Sequence, residues 1–296
     1  MRTRGTLICS VSRHAGLGNR VRAVLSGQSL AEYADRRFFY CWPTERRIFG
    51  AAMTDLWQYD AHSVPWSLTK ILAVRYPQHN ANWKWMAEGS ADRVWQIRSG
   101  QPLALPEGAT PWTQRFRNLR PTDEIADRIN DFFDANLRGR PYVGVMIRAH
   151  ENSHAQTRAM SPISWFIDRM QEISDAVPDI GFYVSCDTPE GTQQILDQFS
   201  NAFALPGKGS YNSTISIKAS VVDLYLLASS VHILGAHYSS FPELAAHLAD
   251  GQIALETSVN NAEFNISGAQ WSLVEDPLRP YLRRAHVQAN PMLPEM

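Results

Sequence analysis

The chain has 296 residues, of which 44% are hydrophobic and 19% are charged. This composition is typical of a globular protein with two domains or one large one, and it excludes disordered, collagen-like and coiled-coil chains. The formal net charge of −1 argues against binding to nucleic acid through bulk charge. We find no run of 18 apolar residues, no secretory signal and only three scattered cysteines, so we predict a cytoplasmic protein without a transmembrane segment, a disulfide framework or a zinc site.

Charge is distributed unevenly along the chain. Residues 1–150 carry an excess of Lys and Arg, whereas residues 151–296 carry an excess of Asp and Glu. Such asymmetry is typical of two lobes with different surfaces, although opposite fields that only help two lobes to face each other would give the same pattern. We place a boundary near residue 120 and predict two domains, 1–120 and 121–296.

The amino-terminal part opens with a strand, a glycine turn and a helix. The apolar run GTLICSVS over 5–12 predicts the strand, GLGNR follows at 16–20, and apolar residues recur at helical spacing through 20–36. This order is the opening of a doubly wound α/β unit. RFFY at 37–40 predicts the next strand, and the tryptophan-rich stretch 42–112, broken by prolines, predicts loops and short elements.

In the second half, apolar runs of strand length alternate with helical patterns. YVGVMIR, IGFYVSCD and VHILGA are the runs, and prolines open helices after the first two. Alternation of this kind predicts parallel sheets. The predicted strands are 142–148, 180–187 and 231–236, and the predicted helices are 121–137, 219–229, 242–249 and those opened by Pro162 and Pro189.

Four polar segments follow predicted strands, which is where open parallel sheets bind ligands. They are Gly16–Arg20, Arg148–His154, Asp187–Glu190 and His237–Phe241. The two glycines of GLGNR allow backbone N–H groups at the start of a helix to face an anion, with a structural turn as the alternative. The candidates in this segment are Gly16, Leu17, Gly18, Asn19 and Arg20.

Arg148 ends a buried strand, so its charge must leave the core at that point. Its guanidinium suits a bidentate contact with phosphate, and a solvated or salt-bridged arginine is the alternative. Three groups able to transfer protons follow closely, namely His150, Glu151 and His154. They are candidate acid–base groups or, alternatively, ordinary polar residues of a loop.

Acids and hydroxyls supply the remaining candidates. Asp187 either contacts a ligand or caps the next helix. Asp223 lies inside an apolar helix and either binds a base or ribose or braces a neighbouring helix N-terminus. Lys218 is a further candidate for contact with an anion. The segment HYSSF suits phosphate or forms an ordinary helix cap, and its candidates are Tyr238, Ser239, Ser240 and Phe241.

Taken in order, GLGNR, VGVMIR, FYVSCDTPEG and VVDLYLLASSVHILGAHYSSF resemble the fucosyltransferase superfamily. This group includes α-1,2- and α-1,6-fucosyltransferases, the nodulation fucosyltransferase and protein O-fucosyltransferases. The resemblance implies an α/β fold of GT-B type, with two Rossmann-like lobes facing across a cleft, the first on the acceptor side and the second for the nucleotide sugar. It also implies transfer of fucose from GDP-fucose to a glycan or other hydroxyl acceptor with inversion, without metal or cofactor.

The resemblance also assigns roles to individual residues. Arg148 matches the arginine that holds the donor β-phosphate, Asp187 matches an acid near the nucleotide, and Asp223 matches the acid that helps to place guanine or its neighbouring loop. Ser239 and Ser240 match the serines that reach the phosphates. Gly16, Gly18 and Asn19 match the amino-terminal loop that lines the cleft.

Two departures from the family pattern concern the catalytic base and the donor sugar. The family reads His-x-Arg-Arg where this chain has Met146-Ile147-Arg148-Ala149, and the acid that some members use as base would fall near Gln156 or Thr157. Candidate substitutes for that base are Glu151, His150, His154 and His14. A transferase for another GDP-sugar and a catalytically silent nucleotide- or glycan-binding relative are the alternatives to fucosyl transfer.

The tryptophans of 42–112 offer faces for sugar stacking or, alternatively, pack in a core. The sequence lacks D-x-D, and its one match to H-E-x-x-H, at His150–His154, directly follows a predicted strand instead of lying on a helix, so the sequence predicts no metal site. It also lacks a G-x-S-x-G elbow, which disfavours a serine hydrolase.

Overall fold

The computed structural model describes residues 5–45, 49–80, 87–260 and 271–285. The chain divides into two compact units, Met1–Ala126 with Gly207–Val222 and Asp127–Pro206 with Asp223–Met296. The later segment 207–222 therefore belongs to the first unit. The domain boundary near residue 120 stays a prediction.

The first unit is built on a parallel sheet. In chain order it contains β1 (Thr6–Val11), α1 (Leu17–Tyr33), β2 (Arg37–Cys41), a 3₁₀ turn (Met53–Asp55), β3 (Trp57–Gln58), β4 (His62–Ser63), α2 (Trp66–Ala73), β5 (Gln78–Asn80), a 3₁₀ turn (Gly89–Ala91), β6 (Val94–Ser99), α3 (Trp112–Asn118) and β7 (Arg120–Pro121). The sheet has the order β4-β2-β1-β6-β5, and all its strand pairs are parallel. β3 and β7 form a separate antiparallel pair.

The second unit is built on another parallel sheet. Its elements are β8 (Tyr142–Ile147), α5 (Ala155–Met160), α6 (Ile163–Ala176), β9 (Gly181–Cys186), α7 (Pro189–Leu196), β10 (Ala202–Ala204), β11 (His232–Gly235), α9 (Ser240–Leu248), β12 (Ala254–Glu256), β13 (Ser272–Val274) and β14 (Arg283–Ala285). The sheet has the order β10-β9-β8-β11-β12 with all pairs parallel, and β13 pairs antiparallel with β14. Two further helices, α4 (Asp123–Asn136) and α8 (Thr214–Ala228), contain residues of both units.

The central strands form because their side chains are apolar on both faces. Every residue of β8 and of β9 is buried, as parallel strands covered on both sides require. Gly144 of β8 allows a close approach to α8, since a Cβ there would lie 2.9 Å from the Leu227 side chain and 3.0 Å from Ser230 Oγ. The predicted parallel α/β fold is confirmed.

Two helices begin earlier than the sequence pattern predicts. GLGNR lies at the N-cap and within the first turn of α1, which begins at Leu17 rather than near residue 20. The helix predicted from Pro242 begins at Ser240, with Ser239 as its N-cap. Both shifts place residues that were predicted in loops at the first turn of a helix, where backbone N–H groups have no acceptor within the helix.

The tryptophan-rich stretch packs mainly in the core of the first unit. Trp42, Trp57 and Trp95 are buried, so core packing is confirmed for them. Trp66 is half-buried, with Lys70 Nζ 4.8 Å and Arg98 Cζ 5.2 Å from its ring centroid. Trp83 and Trp85 lie outside the described residues. No helix in the described ranges is long and apolar enough to cross a bilayer.

Candidate active site

Polar residues collect at the carboxyl edge of the second sheet. Arg148 directly follows β8, Asp187 follows the adjacent β9, and the segment 236–239 follows β11 on the other side of β8. Three of the four segments predicted from strand ends therefore lie on neighbouring strands of one sheet. This edge is the candidate active site of the second unit.

Asp187 anchors the loop that follows β8. Its Oδ1 accepts the backbone N–H groups of Ala149 and His150 at 2.7 and 2.9 Å, and its Oδ2 accepts the Ser153 hydroxyl at 2.8 Å. The predicted alternative, that Asp187 caps the next helix, is wrong, because Thr188 caps α7 by accepting the Gly191 N–H at 3.2 Å. The sequence analysis missed Ser153, which has no local signal for this role.

Asp187 also tethers Arg148. Arg148 Nη1 lies 3.4 Å from Asp187 Oδ2, and the Arg148 Cζ lies 5.8 Å from the ring centroid of the buried Phe241. A guanidinium has five N–H donors, and among the described residues this long contact is its one hydrogen bond to another side chain. The arginine side chain is 30% exposed, so it is oriented by the fold and retains donors for an anion.

We expect the anchoring role of Asp187 to be visible in stability. Asp187→Ala removes the acceptor of two part-buried backbone N–H groups. An unsatisfied buried donor costs about 1–3 kcal/mol, and because water reaches these two in part, we expect the free energy of unfolding to fall by about 1–3 kcal/mol in total. Asp187→Asn keeps one acceptor oxygen and loses less. Urea titration measures the change, and amide hydrogen exchange over 148–153 localises it.

The matched control is the exposed acid Asp175, whose one side-chain donor within the described ranges is Gln171. Asp175→Ala changes stability by less than about 0.5 kcal/mol. Unchanged exchange at Ala149 and His150 in Asp187→Ala would show that Asp187 does not anchor the loop.

Both histidines of the loop use Nδ1 as an acceptor. His150 Nδ1 accepts the Asn152 N–H at 3.1 Å, and His154 Nδ1 accepts the Gln156 N–H at 3.3 Å as the N-cap of α5. A neutral imidazole whose Nδ1 accepts carries its proton on Nε2. In this arrangement both rings are donors through Nε2 rather than proton acceptors. Glu151, which is exposed and lies between them in sequence, is the carboxylate of the loop.

The segment after β11 leads into the N-terminus of α9. Ser239 Oγ accepts the Phe241 N–H at 3.4 Å, so the helix-cap alternative is confirmed for Ser239. Ser240 is the first residue of the helix, where backbone N–H groups lack helical acceptors and the dipole favours an anion. The preceding residue, His237, donates its N–H to Ser161 Oγ at 2.8 Å.

Asp223, predicted to bind a base or ribose or to brace a neighbouring helix N-terminus, contacts β9, and both alternatives stay predictions. It is buried, and its two oxygens accept the hydroxyls of Tyr183 and Ser185 at 2.5 and 2.8 Å. Burial, together with the neighbouring Asp223, holds the pKa of Tyr183 well above its ordinary value. A buried carboxylate needs donors, and β9 supplies them, so Asp223 braces this strand.

In the first unit, the structure does not support the role expected for Arg20. Arg20 is completely buried, and burial lowers its pKa to about 10. Its three nitrogens donate to backbone carbonyls, and its Cζ lies 4.1 Å from the Phe49 ring centroid. The accepting carbonyls are those of Ala15 at 2.7 Å, Pro43 at 2.8 Å and Arg13 at 2.7 Å. Arg20 thus fixes loops instead of meeting an anion.

The remaining candidates of the first unit lie at the start of α1 and, for Lys218, in α8. Gly16 is the N-cap of α1, with no side-chain cap and no acid in the first turn, and a Cβ on Gly16 would meet nothing within 4 Å among the described residues. Leu17 and Gly18 are buried, while Asn19 is half-buried. Lys218 Nζ pairs with Glu124 at 2.5 Å. That these residues contact a donor stays a prediction.

The described residues contain no group of three or more His, Cys, Asp or Glu side chains arranged to hold a metal ion. This observation does not concern the reaction itself, so the metal independence of the reaction stays a prediction.

The elements define an α/β protein with two parallel sheets and a polar carboxyl edge. No protein-family model and no curated protein matches the sequence. Solved structures do match. NodZ α-1,6-fucosyltransferase co-crystallised with GDP is 17% identical and superposes with a TM-score of 0.58 over 82% of this chain and 92% of that chain.

Two further structures have the same fold. Fucosyltransferase NodZ from Bradyrhizobium is 18% identical, with a TM-score of 0.56 over 82% of this chain and 93% of that chain. POFUT1 in complex with GDP-fucose is 14% identical, with a TM-score of 0.54 over 85% and 98% of the two chains. At these identities the likeness establishes the fold, and the superfamily resemblance predicted from the motifs stays a prediction.

Proposed function

We propose that this chain is an inverting glycosyltransferase that moves fucose from GDP-fucose to a hydroxyl group of a glycan or other acceptor. The observation that carries the proposal is Arg148, tethered by Asp187 on a buried strand end and packed over Phe241 in the first turn of α9. The shared fold supports it, because the matched NodZ structures were obtained with GDP and with GDP-fucose.

Arg148 and the start of α9 bind the diphosphate in this proposal. A guanidinium offers two parallel N–H donors to phosphate, and the N-terminal end of the α9 dipole adds fixed partial positive charge. Ser239 contributes by holding the helix start in place rather than by donating its hydroxyl. Neutralisation by protein cations is also why we propose that the reaction needs no divalent metal.

The chemical step displaces GDP directly. The acceptor oxygen attacks C1 of fucose on the face opposite the phosphate, while the bond between C1 and the β-phosphate oxygen breaks and its electron pair leaves with GDP. Negative charge grows on the β-phosphate, where Arg148 meets it, so the arginine stabilises the transition state more than the bound donor. The attack from the opposite face inverts the configuration at C1.

Glu151 takes the proton of the acceptor hydroxyl in this proposal. It lies three residues after Arg148, on the loop held by Asp187, and its carboxylate is exposed. The neighbouring His150 and His154 already use Nδ1 as acceptor, so neither has the free lone pair that a base needs. We therefore propose that His154 positions the loop as the N-cap of α5 and is not the base.

We expect GDP to bind and UDP not to bind. A ligand at 100 times its dissociation constant stabilises a protein by about 2.7 kcal/mol, which raises the melting temperature of a chain of this size by about 5 °C. Differential scanning fluorimetry with GDP, GDP-fucose, GDP-mannose and UDP-sugars measures this. Equal shifts with GDP and UDP would contradict a guanine-nucleotide site.

The same panel, together with a GDP-release assay and analysis of the product's configuration, separates the alternatives. A larger shift with GDP-mannose than with GDP-fucose would favour a transferase for another GDP-sugar. Binding of GDP-fucose without release of GDP, either to water or to an acceptor, would identify a silent binding protein. Release of GDP without any change in configuration of the transferred sugar would contradict direct displacement.

A further inference from the structure

Tyr238 has a backbone conformation that bulky residues rarely adopt. Its φ is +62°, in the left-handed region, which costs roughly 1 kcal/mol or more for a residue with a Cβ. Contacts on both sides enforce this conformation. His237 donates its N–H to the buried Ser161, whose Oγ lies 3.1 Å from Ser258 Oγ, and Ser239 caps α9. The surrounding structure therefore holds Tyr238 in a strained position.

The side chain of Tyr238 is presented to solvent at the candidate active site. It is 63% exposed, and its ring centroid lies 5.2 Å from that of His154 and 6.4 Å from that of His237. Two imidazoles thus support an exposed aromatic ring next to the N-terminus of α9. Aromatic rings with this combination of exposure and support are suited to stack on a ligand.

The loop that supports the ring indicates which part of the donor it contacts. His154 belongs to the same loop as Arg148 and Glu151, for which we propose the leaving phosphate and the acceptor hydroxyl as partners. Those two groups lie on opposite sides of the reacting sugar carbon, so a ring stacked on this loop lies at the sugar end.

We propose that Tyr238 is a specificity-determining residue that stacks on the sugar ring of the donor and favours a 6-deoxyhexose. This inference rests on the proposed function. Fucose offers an aromatic ring a face of C–H groups and a methyl group at C6, which are apolar. A sugar that carries a hydroxyl at C6 brings an unpaired polar group against the ring, which is unfavourable.

The test compares GDP and GDP-fucose by isothermal titration calorimetry on the full chain, Tyr238→Ala and Tyr238→Phe. Loss of a stacked ring typically weakens binding roughly 3- to 10-fold, so Tyr238→Ala raises the Kd for GDP-fucose by about that factor and changes the Kd for GDP far less. Tyr238→Phe keeps the ring and keeps the affinity for GDP-fucose. Tyr33→Ala, at an equally exposed tyrosine at the end of α1, is the control and changes neither Kd.

The other outcomes overturn this inference. Equal weakening of GDP and GDP-fucose places the ring on the nucleotide and overturns the proposal, as does unchanged binding of GDP-fucose by Tyr238→Ala. Loss of affinity in Tyr238→Phe shows that the hydroxyl, not the ring, makes the contact, and also overturns it. If the wild-type chain binds GDP but not GDP-fucose, this inference fails while guanine-nucleotide binding stands. If it binds neither, the proposed function itself fails.

Discussion

Arg148→Ala is expected to abolish most donor-dependent turnover while the protein stays folded. Removal of one partner from a close, partly desolvated charge pair costs roughly 2–5 kcal/mol, which corresponds to a fall of about 30- to 5,000-fold in kcat/KM. Because the charge on GDP develops as the bond breaks, we expect kcat to fall more than donor affinity. Steady-state kinetics with GDP-fucose and a GDP-release assay measure both.

Arg148→Lys distinguishes charge from geometry. An ammonium keeps the positive charge but lacks the two parallel donors, so we expect only partial recovery of turnover. Arg140→Ala is the matched control, since Arg140 is an exposed arginine at the opposite end of the same strand segment and should leave turnover unchanged. Near-wild-type turnover in Arg148→Ala would show that the arginine is only a surface residue.

The strands of both sheets were predictable because they are apolar runs of strand length. β8 and β9 are buried at every position. A short apolar run between two helical patterns is compatible with few structures other than a buried strand. The helix starts were less predictable. α9 begins two residues before Pro242 because Ser239 can cap it, and a capping serine looks the same in sequence as a serine in a phosphate loop.

The partners of Asp187 could not be read from the sequence. It accepts from residues that lie 34 to 38 positions earlier in the chain, and two of these donors are backbone N–H groups that every residue possesses. Only the sheet, which sets β8 beside β9, brings them together. The position of Asp187 at a strand end predicted that its carboxylate would have a partner, but not which groups would donate to it.

Arg20 did carry a signal that predicts burial. It lies three residues after Leu17 and four before Val24, on the helical face that these apolar residues define. An arginine on a buried face must place its donors on acceptors of the protein, and three loop carbonyls provide them. Read in this way, GLGNR predicts a buried loop-holding arginine instead of an anion contact.

Glu151→Gln is the second large effect that we expect. The substitution keeps the size and exposure of the side chain but removes its ability to take a proton from the acceptor hydroxyl. General-base catalysis typically contributes about 10²- to 10⁴-fold, so kcat should fall by a factor in that range. The affinity for GDP should hardly change, because the proposed contacts with the diphosphate come from Arg148 and α9. Turnover assays and calorimetry test the two statements separately.

Glu190→Gln is the control for the general effect of removing a negative charge, because Glu190 is an exposed glutamate in the first turn of α7 at the same edge of the sheet. His154→Asn tests the competing base. Asparagine is a good N-cap, so α5 and the loop are retained while the imidazole is lost. If Glu151 is the base, Glu190→Gln and His154→Asn keep turnover within a few fold. If His154→Asn loses turnover and Glu151→Gln keeps it, His154 must release the Gln156 N–H during the reaction, and the assignment of the base is reversed.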